Sequence, residues 1–502
     1  MKRRNLLQAA AGLLLCAIGY YLAHRESYDV HTVLATAGGC QMATDIYQPR
    51  SGSPIGSVVL FHGLAANKKV MAFNAQEFAD QDLRVFVPDF PGHGRTPGPY
   101  SHARAESCAD AFVRDLIARN AIVPERTILA GHSLGGAIAI RAAAVIPVSG
   151  VIAISPAPMH ATPGFSEELL PFHDGPPLPP HSLVLTGQWE PGSIKMLGQQ
   201  MVSSAPDSSS KYQLISGTSH VSILFSPKTF DSIRAWTSQL LGTNPEAPFP
   251  DNMPALACML GIIGLSILVP PFLHEMNPPA KSPPVRSPIA TVFPKDFLIA
   301  GIAASVSVLL LAPRIIPIHF VRIFNGDYFA VFLFLAGLLA LAISYKSLPT
   351  LKSLSPSSLA STCASAIVLV LLFAGWFELT FYEAWLTPAR WLRLPLLLLL
   401  LLPWHFAEEL LLGQPTSSPD FRRLAKAIVL RAVVYIALFI GIRFLHSGAI
   451  LLILLVAYLV VFTVLQRLAC DLVRFRTQSS AAAAIFGAIL LAAFALAIFP
   501  IA

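Results

Sequence analysis

Between residues 26 and 242 the chain alternates short apolar runs of strand length with longer segments in which apolar residues recur every three or four positions. The short runs predict strands at 57–62, 84–89, 127–130, 151–155, 182–186 and 212–216. The amphipathic segments predict helices at 74–81, 105–120, 135–144, 194–201 and 227–241. This alternation implies an α/β class domain, a doubly wound and mostly parallel sheet with helices on both faces. A linker at 243–254 carries four prolines. Beyond it the pattern changes to long apolar runs at 253–273, 297–316, 327–344, 359–379, 393–410, 427–443, 447–466 and 481–501. Each is long enough to cross a bilayer as a helix.

A further apolar run at 6–22 follows Lys2, Arg3 and Arg4, the charge asymmetry of a signal anchor. Tyr21 stands two positions before Ala23, where a cleavage site requires a small side chain, so the anchor is expected to stay. The expected organisation is an anchor helix at 1–25, an α/β domain at 26–242, a linker at 243–254 and an all-α transmembrane bundle of about eight helices at 255–502.

Composition agrees with this division. Hydrophobic residues make up 54% of the 502 positions and charged residues only 13%, which excludes a wholly soluble protein. The net charge of +7 is spread between apolar runs, a pattern that reports membrane topology and gives no sign of nucleic-acid binding. With a cytoplasmic N-terminus, Lys281, Arg286, Lys295, Lys346, Lys352, Arg422, Arg423, Lys426, Arg467, Arg474 and Arg476 fall in cytoplasmic loops. The same assignment puts residues 26–242 outside the cytoplasm, and the expected location is a multi-pass protein of a bacterial inner membrane. Of six cysteines, Cys16, Cys258, Cys363 and Cys470 lie in or beside apolar runs, where cysteine is a packing residue. Cys40 and Cys108 belong to the α/β segment, and the sequence leaves open one disulfide or two free thiols.

The candidate chemistry centres on Gly131-His132-Ser133-Leu134-Gly135, a G-x-S-x-G pentapeptide between a strand and a helix. A serine hydroxyl is a poor nucleophile, so a hydrolase presents it on a tight turn beside a histidine base and backbone N–H donors. Three further motifs accompany it in order: Val58 to Leu64, containing His62-Gly63; Pro88-Asp89-Phe90-Pro91-Gly92-His93-Gly94-Arg95; and Gly217-Thr218-Ser219-His220.

Together these motifs resemble the α/β-hydrolase family over roughly residues 30–242. The resemblance implies Ser133 as nucleophile, His220 as general base and acid, and backbone N–H groups of Leu64 and Leu134 as the oxyanion hole, with His62, Gly63, Gly131 and Gly135 shaping the turns. It places the third catalytic residue at Glu190, after the strand at 182–186; aspartate is usual there, and Asp207 is the alternative. His132 and His93 read as structural, and Asp89 as a local cap or ion-pair partner. The implied reaction needs no cofactor or metal. A lid is expected between Ser155 and His181, too proline-rich for a large helical cap, with one or two turns at 165–170. Phe165, Leu169, Leu170 and Phe172 there either line an acyl pocket or cover the sheet.

Within the apolar half, Glu378, His405, Glu408, Glu409 and Arg431 are ionisable, and near span ends they are expected to snorkel to water. Glu408-Glu409 resembles the paired glutamates of CAAX-processing intramembrane proteases, but Gly413 stands where that motif has arginine. The reading is a membrane-anchored serine hydrolase acting on a small or lipid acyl ester, with membrane lipids as neighbours. The alternative is a transporter or sensor whose hydrolase-like domain binds a ligand without turning it over.

Overall fold

A computed structural model describes residues 3–50, 52–160, 170–206, 208–277, 279, 294–312, 318–345, 355–445, 451–452 and 455–502. Contacts group the chain into two units. The first comprises Tyr21–Ala255 together with two short segments from far along the chain, Thr380–Glu383 and Pro500–Ala502. It holds eight strands: β1 (Val30–Ala37), β2 (Cys40–Tyr47), β3 (Gly56–Phe61), β4 (Leu83–Pro88), β5 (Thr127–His132), β6 (Gly150–Ile154), β7 (Ser182–Gly187) and β8 (Lys211–Ile215). They form one sheet in the order β1-β2-β4-β3-β5-β6-β7-β8. Pairings β1–β2 and β2–β4 are antiparallel, and all others are parallel.

The six strands expected from the sequence are β3 to β8. The hairpin β1–β2 was not anticipated, because β1 is almost wholly exposed and lacks an apolar face for periodicity to detect. Its turn residues Gly38 and Gly39 have φ of 54° and 77°, values a two-residue hairpin turn requires. Strands β3, β5, β6 and β7 are buried along their whole length, as expected of a sheet covered on both faces. The helices that cover it span Ala72–Asp80, His102–Ala118, Leu134–Val145, Gly192–Ser203 and Pro227–Leu241. Ser101 accepts from the Arg104 N–H at the start of the second of these, capping an otherwise unpaired donor. Cys108 in that helix is bonded to Cys40 at the start of β2, their Cα atoms 5.6 Å apart. That closes the question the spacing left open.

The second unit comprises Met1–Tyr20, Leu256–Leu379 and Ala384–Phe499. Among the described residues, seven helices are long and apolar enough to cross a membrane: Asn5–Ala23, Pro254–Met276, Gly326–Ile343, Pro356–Thr380, Leu394–Leu412, Phe421–Phe444 and Ser480–Ile498. Two of the expected runs differ from this set. In the run at 297–316 the described residues form the helix Pro294–Leu311, and in the run at 447–466 they include the start of the helix Val456–Thr477, which carries Arg467, Asp471, Arg474 and Arg476. Glycines bring helices together: Gly337 lies so near the Pro403–Trp404 backbone that a Cβ would collide with it.

Of the five ionisable residues expected to snorkel, Glu378 is half-buried near the end of its helix, whereas His405, Glu408, Glu409 and Arg431 are buried. Glu408, Glu409, His405, Arg431 and Arg467 are all at most 2% exposed. Arg431 donates to Glu408 at 2.6 and 2.8 Å, and Arg467 donates to Glu408 at 3.2 Å, Glu409 at 2.7 Å and Asp471 at 2.7 Å. Arg423 donates to Glu409 at 2.8 Å and to Asp471, and Arg474 lies 3.1 Å from Glu409. In an apolar surrounding such charges persist only when paired, which is why four arginines gather round three carboxylates. Arg423, Arg467 and Arg474 are therefore helix residues held by these partners, and do not lie in loops as the charge count assumed. The paired glutamates are likewise saturated by guanidinium groups.

Candidate active site

Strand β5 lies in the middle of the sheet, and its last residues deliver Ser133 to the carboxyl end of the parallel strands. Ser133 has φ 53° and ψ −117°, a strained conformation costing on the order of 1–3 kcal/mol that the surrounding backbone must impose. Two bonds pin it: Ser133 N–H donates to the Ile154 carbonyl at 2.9 Å, and Ala157 N–H donates to the Ser133 carbonyl at 2.9 Å. Glycine is required on either side, since a Cβ on Gly131 would strike the Gly135 backbone and one on Gly135 would strike the carbonyls of Phe61 and His62. The helix Leu134–Val145 starts at once, so the positive end of its dipole faces the serine. Among the described residues, the N–H groups of Leu134 and Leu64 have no acceptor.

Glu190 follows β7, and His220 follows β8. Glu190 Oε2 accepts from His220 Nδ1 at 3.0 Å, while Oε1 accepts from the Gly187 N–H at 2.8 Å and from the Ser155 hydroxyl. Burial alone would raise this carboxyl, but His220, Ser155 and Gly187 together hold it below the usual carboxylate range. The two loops that carry the pair are bonded to each other: Gly217 N–H donates to Gln188 Oε1 at 2.8 Å, and Trp189 N–H donates to the Thr218 carbonyl at 2.9 Å. The sequence marks Ser155 only as the end of a strand and the boundary of the lid. Its position just after β6, where a small polar residue interrupts an apolar strand, is the signal that identifies it as a support for Glu190. The alternative acid, Asp207, lies outside the described residues.

Three histidines fasten backbone, and burial holds two of them, His62 and His132, neutral. His62 is fully buried, donates Nδ1–H to the Gly63 carbonyl at 2.8 Å and accepts the Phe90 N–H at Nε2 at 3.0 Å. Burial pushes it down to about 4. His93 works similarly, accepting the Ala65 N–H at 3.3 Å. His132 Nε2 lies 2.7 Å from the His220 carbonyl, and burial followed by the His220 charge pushes it down to about 3. All three fasten backbone and leave proton transfer to His220, whose side chain is 31% exposed. Among the described residues, no hydrogen bond joins Ser133 Oγ to the His220 ring; in unliganded hydrolases this contact is commonly long and tightens on substrate binding.

Residues 161–169 of the expected lid, including Phe165 and Leu169, lie outside the described residues. Leu170 and Phe172 are buried, and Phe172 lies 4.6 Å beneath the Arg141 guanidinium, so it covers the fold. Among the described residues, no group of three or more histidine, cysteine or acidic side chains is arranged to hold a metal ion. A groove of about 420 Å³ beside β8, lined by Lys211, Gln213, Lys228 and Asp231 among others, contains none of the residues above.

Comparison with known proteins finds similarity to hydrolases. The model of the α/β hydrolase family matches residues 58–264. A monoacylglycerol lipase of Mycolicibacterium smegmatis is 36% identical over 118 residues, 22% of this chain and 41% of the lipase. A monoglyceride lipase of Rattus norvegicus is 36% identical over 130 residues, 24% of this chain and 42% of the lipase. The chain thus spans about two-fifths of the length of these curated relatives. Among solved structures, a hydrolase of Thermoplasma acidophilum is 20% identical with a TM-score of 0.33, covering 42% of this chain and 99% of its own. The sheet order and the family match over residues 58–264 show that this chain contains an α/β-hydrolase domain.

Proposed function

We propose that this chain is a membrane-anchored serine hydrolase that cleaves an acyl ester through Ser133, His220 and Glu190. The observation that carries the proposal is the relay of contacts from Ser155 and Gly187 to Glu190 and on to His220 Nδ1, beside a serine on a strained elbow. Donation of Nδ1–H to Glu190 leaves the other ring nitrogen as the lone-pair base. That nitrogen takes the Ser133 proton as Oγ attacks the ester carbonyl. The Leu64 and Leu134 N–H groups, without another acceptor among the described residues, receive the developing oxyanion. His220 then returns the proton to the departing alcohol, leaving an acyl-serine. Water, deprotonated by the same histidine, releases the acid and restores the hydroxyl.

An ester is favoured over an amide because the named relatives are lipases acting on acylglycerols, and the family domain is shared with them. An intact acid–base pair favours turnover over the ligand-sensing alternative. The seven apolar helices support a multi-pass membrane protein. A disulfide between Cys40 and Cys108 supports placing the hydrolase in an oxidising compartment outside the cytoplasm, as the anchor's charge asymmetry also does.

The test is labelling of the full-length protein in detergent with a fluorophosphonate, followed by a panel of short esters, long esters, thioesters and aminoacyl amides. Wild type is expected to label and Ser133→Ala is not, with turnover confined to esters. Equal labelling of the two, or turnover of amides alone, overturns the assignment.

A further inference from the structure

The turn after β3, His62-Gly63-Leu64-Ala65, has to hold the Leu64 N–H in place, yet it contains Ala65 at φ 59°. A residue with a Cβ adopts this left-handed conformation only when its surroundings enforce it. Here the enforcement comes from both sides. The Ala65 N–H donates to His93 Nε2 at 3.3 Å, and the Ala65 carbonyl accepts from the Tyr382 hydroxyl at 2.9 Å. Two residues on, Asn67 Nδ2 donates to the Glu383 carbonyl at 3.5 Å. The Lys68 N–H donates to Asp89 Oδ1 at 2.6 Å, and the Lys68 ammonium, on a residue only 1% exposed, sits 3.3 Å from Asp89 Oδ2 and in contact with the Glu383 carboxylate.

Tyr382 and Glu383 come from beyond the family-matched segment. In sequence they follow the apolar helix Pro356–Thr380, but by contact Thr380–Glu383 belongs to the α/β unit. Phe381 and Tyr382 pack against the core of that unit, with the Phe381 ring centred 5.7 Å from that of Phe225 and tilted 43° to it. The α/β unit is shaped to receive them. Gly94, at φ 47°, lies where any Cβ would collide with both the Asp89 and the Glu383 carboxylates. Arg95 adds a guanidinium 3.6 Å from Glu383. A buried ammonium requires paired carboxylates, so removal of Glu383 leaves Lys68 partly uncompensated directly behind the turn.

We propose that Tyr382 and Glu383 are positioning residues for the hydrolase: by holding the Ala65 carbonyl and the Lys68 ammonium they set the Leu64 N–H where the oxyanion forms. The site is then completed within the α/β unit by a segment that lies far beyond it in sequence. Neither residue touches the reacting atoms. The proposal rests on the serine-hydrolase reading above.

The test compares full-length wild type, Tyr382→Phe and Glu383→Gln in detergent. The fluorophosphonate labelling end point counts competent sites, and kcat and KM are measured on a short p-nitrophenyl ester per competent site. Displacing one oxyanion donor lowers turnover on the order of 10- to 100-fold. Both variants are expected to show that fall in kcat, with KM within about twofold of wild type and an unchanged end point. Tyr382→Phe removes a single oxygen, so it reports on positioning even where Glu383→Gln folds poorly. Wild-type kcat per competent site in both variants, or a loss carried wholly by the end point, overturns the proposal. A wild type that labels no faster than Ser133→Ala and turns over no ester instead removes the underlying functional reading.

Discussion

Glu190 and His62 show how two buried ionisable groups of one unit are set in opposite ways. Glu190 is kept charged by three donors, so its carboxylate remains available to His220 in mild acid. Glu190→Gln is expected to lower kcat on the order of 10²–10⁴-fold with little change in KM, because the orienting charge is lost while the substrate contacts stay. Steady-state kinetics on an ester checks this. His62 is kept neutral, at about 4 against an ordinary 6.5. As pH falls below 6.5 the unfolded chain takes up a proton at this residue, and the folded one does not until near 4, so stability falls across that window by up to about 3 kcal/mol. The thermal midpoint of wild type is expected to drop more steeply between those pH values than that of His62→Asn.

At the scale of elements, a hinge between chemistry and fold recurs: short loops at the carboxyl ends of parallel strands carry the reactive groups, and the strands carry none. In the helical unit the same physics acts in reverse, with charge used for packing. Arg467 alone meets Glu408, Glu409 and Asp471, joining the helices Leu394–Leu412 and Val456–Thr477. Arg467→Gln removes a buried ion-pair partner and hydrogen-bond donor from all three carboxylates and is expected to destabilise this unit by about 3–5 kcal/mol. Exchanging Arg467 for lysine keeps the charge but loses the fork that reaches several acceptors, so it recovers only part of the loss. Thermal unfolding in detergent, followed for both variants, reads this out.

For the molecule as a whole, the disulfide and the seven apolar helices make linked predictions. Reduction, or Cys40→Ala with Cys108→Ala, is expected to lower the stability of the α/β unit by about 2–4 kcal/mol, since the bond joins residues 68 apart in sequence. In intact cells a protease added outside is expected to cut within residues 26–242. Protection of that segment, together with free thiols at Cys40 and Cys108, would reverse the proposed orientation.

Periodicity alone was enough for the six core strands and five covering helices, because parallel strands buried on both faces and amphipathic helices each leave their own spacing of apolar residues. Motif order was enough to pick out Ser133, Glu190 and His220 as candidates, because each sits in a short loop whose neighbours are local in sequence. Local pattern does not reach contacts between separate elements. The exposed strand β1, the support of Glu190 by Ser155, the ion cluster round Glu408 and Glu409, and the seating of Tyr382 and Glu383 beside Ala65 and Lys68 all depend on such contacts. Charge desolvation and backbone strain are paid only once the chain is folded, so only the tertiary structure decides which partners relieve them.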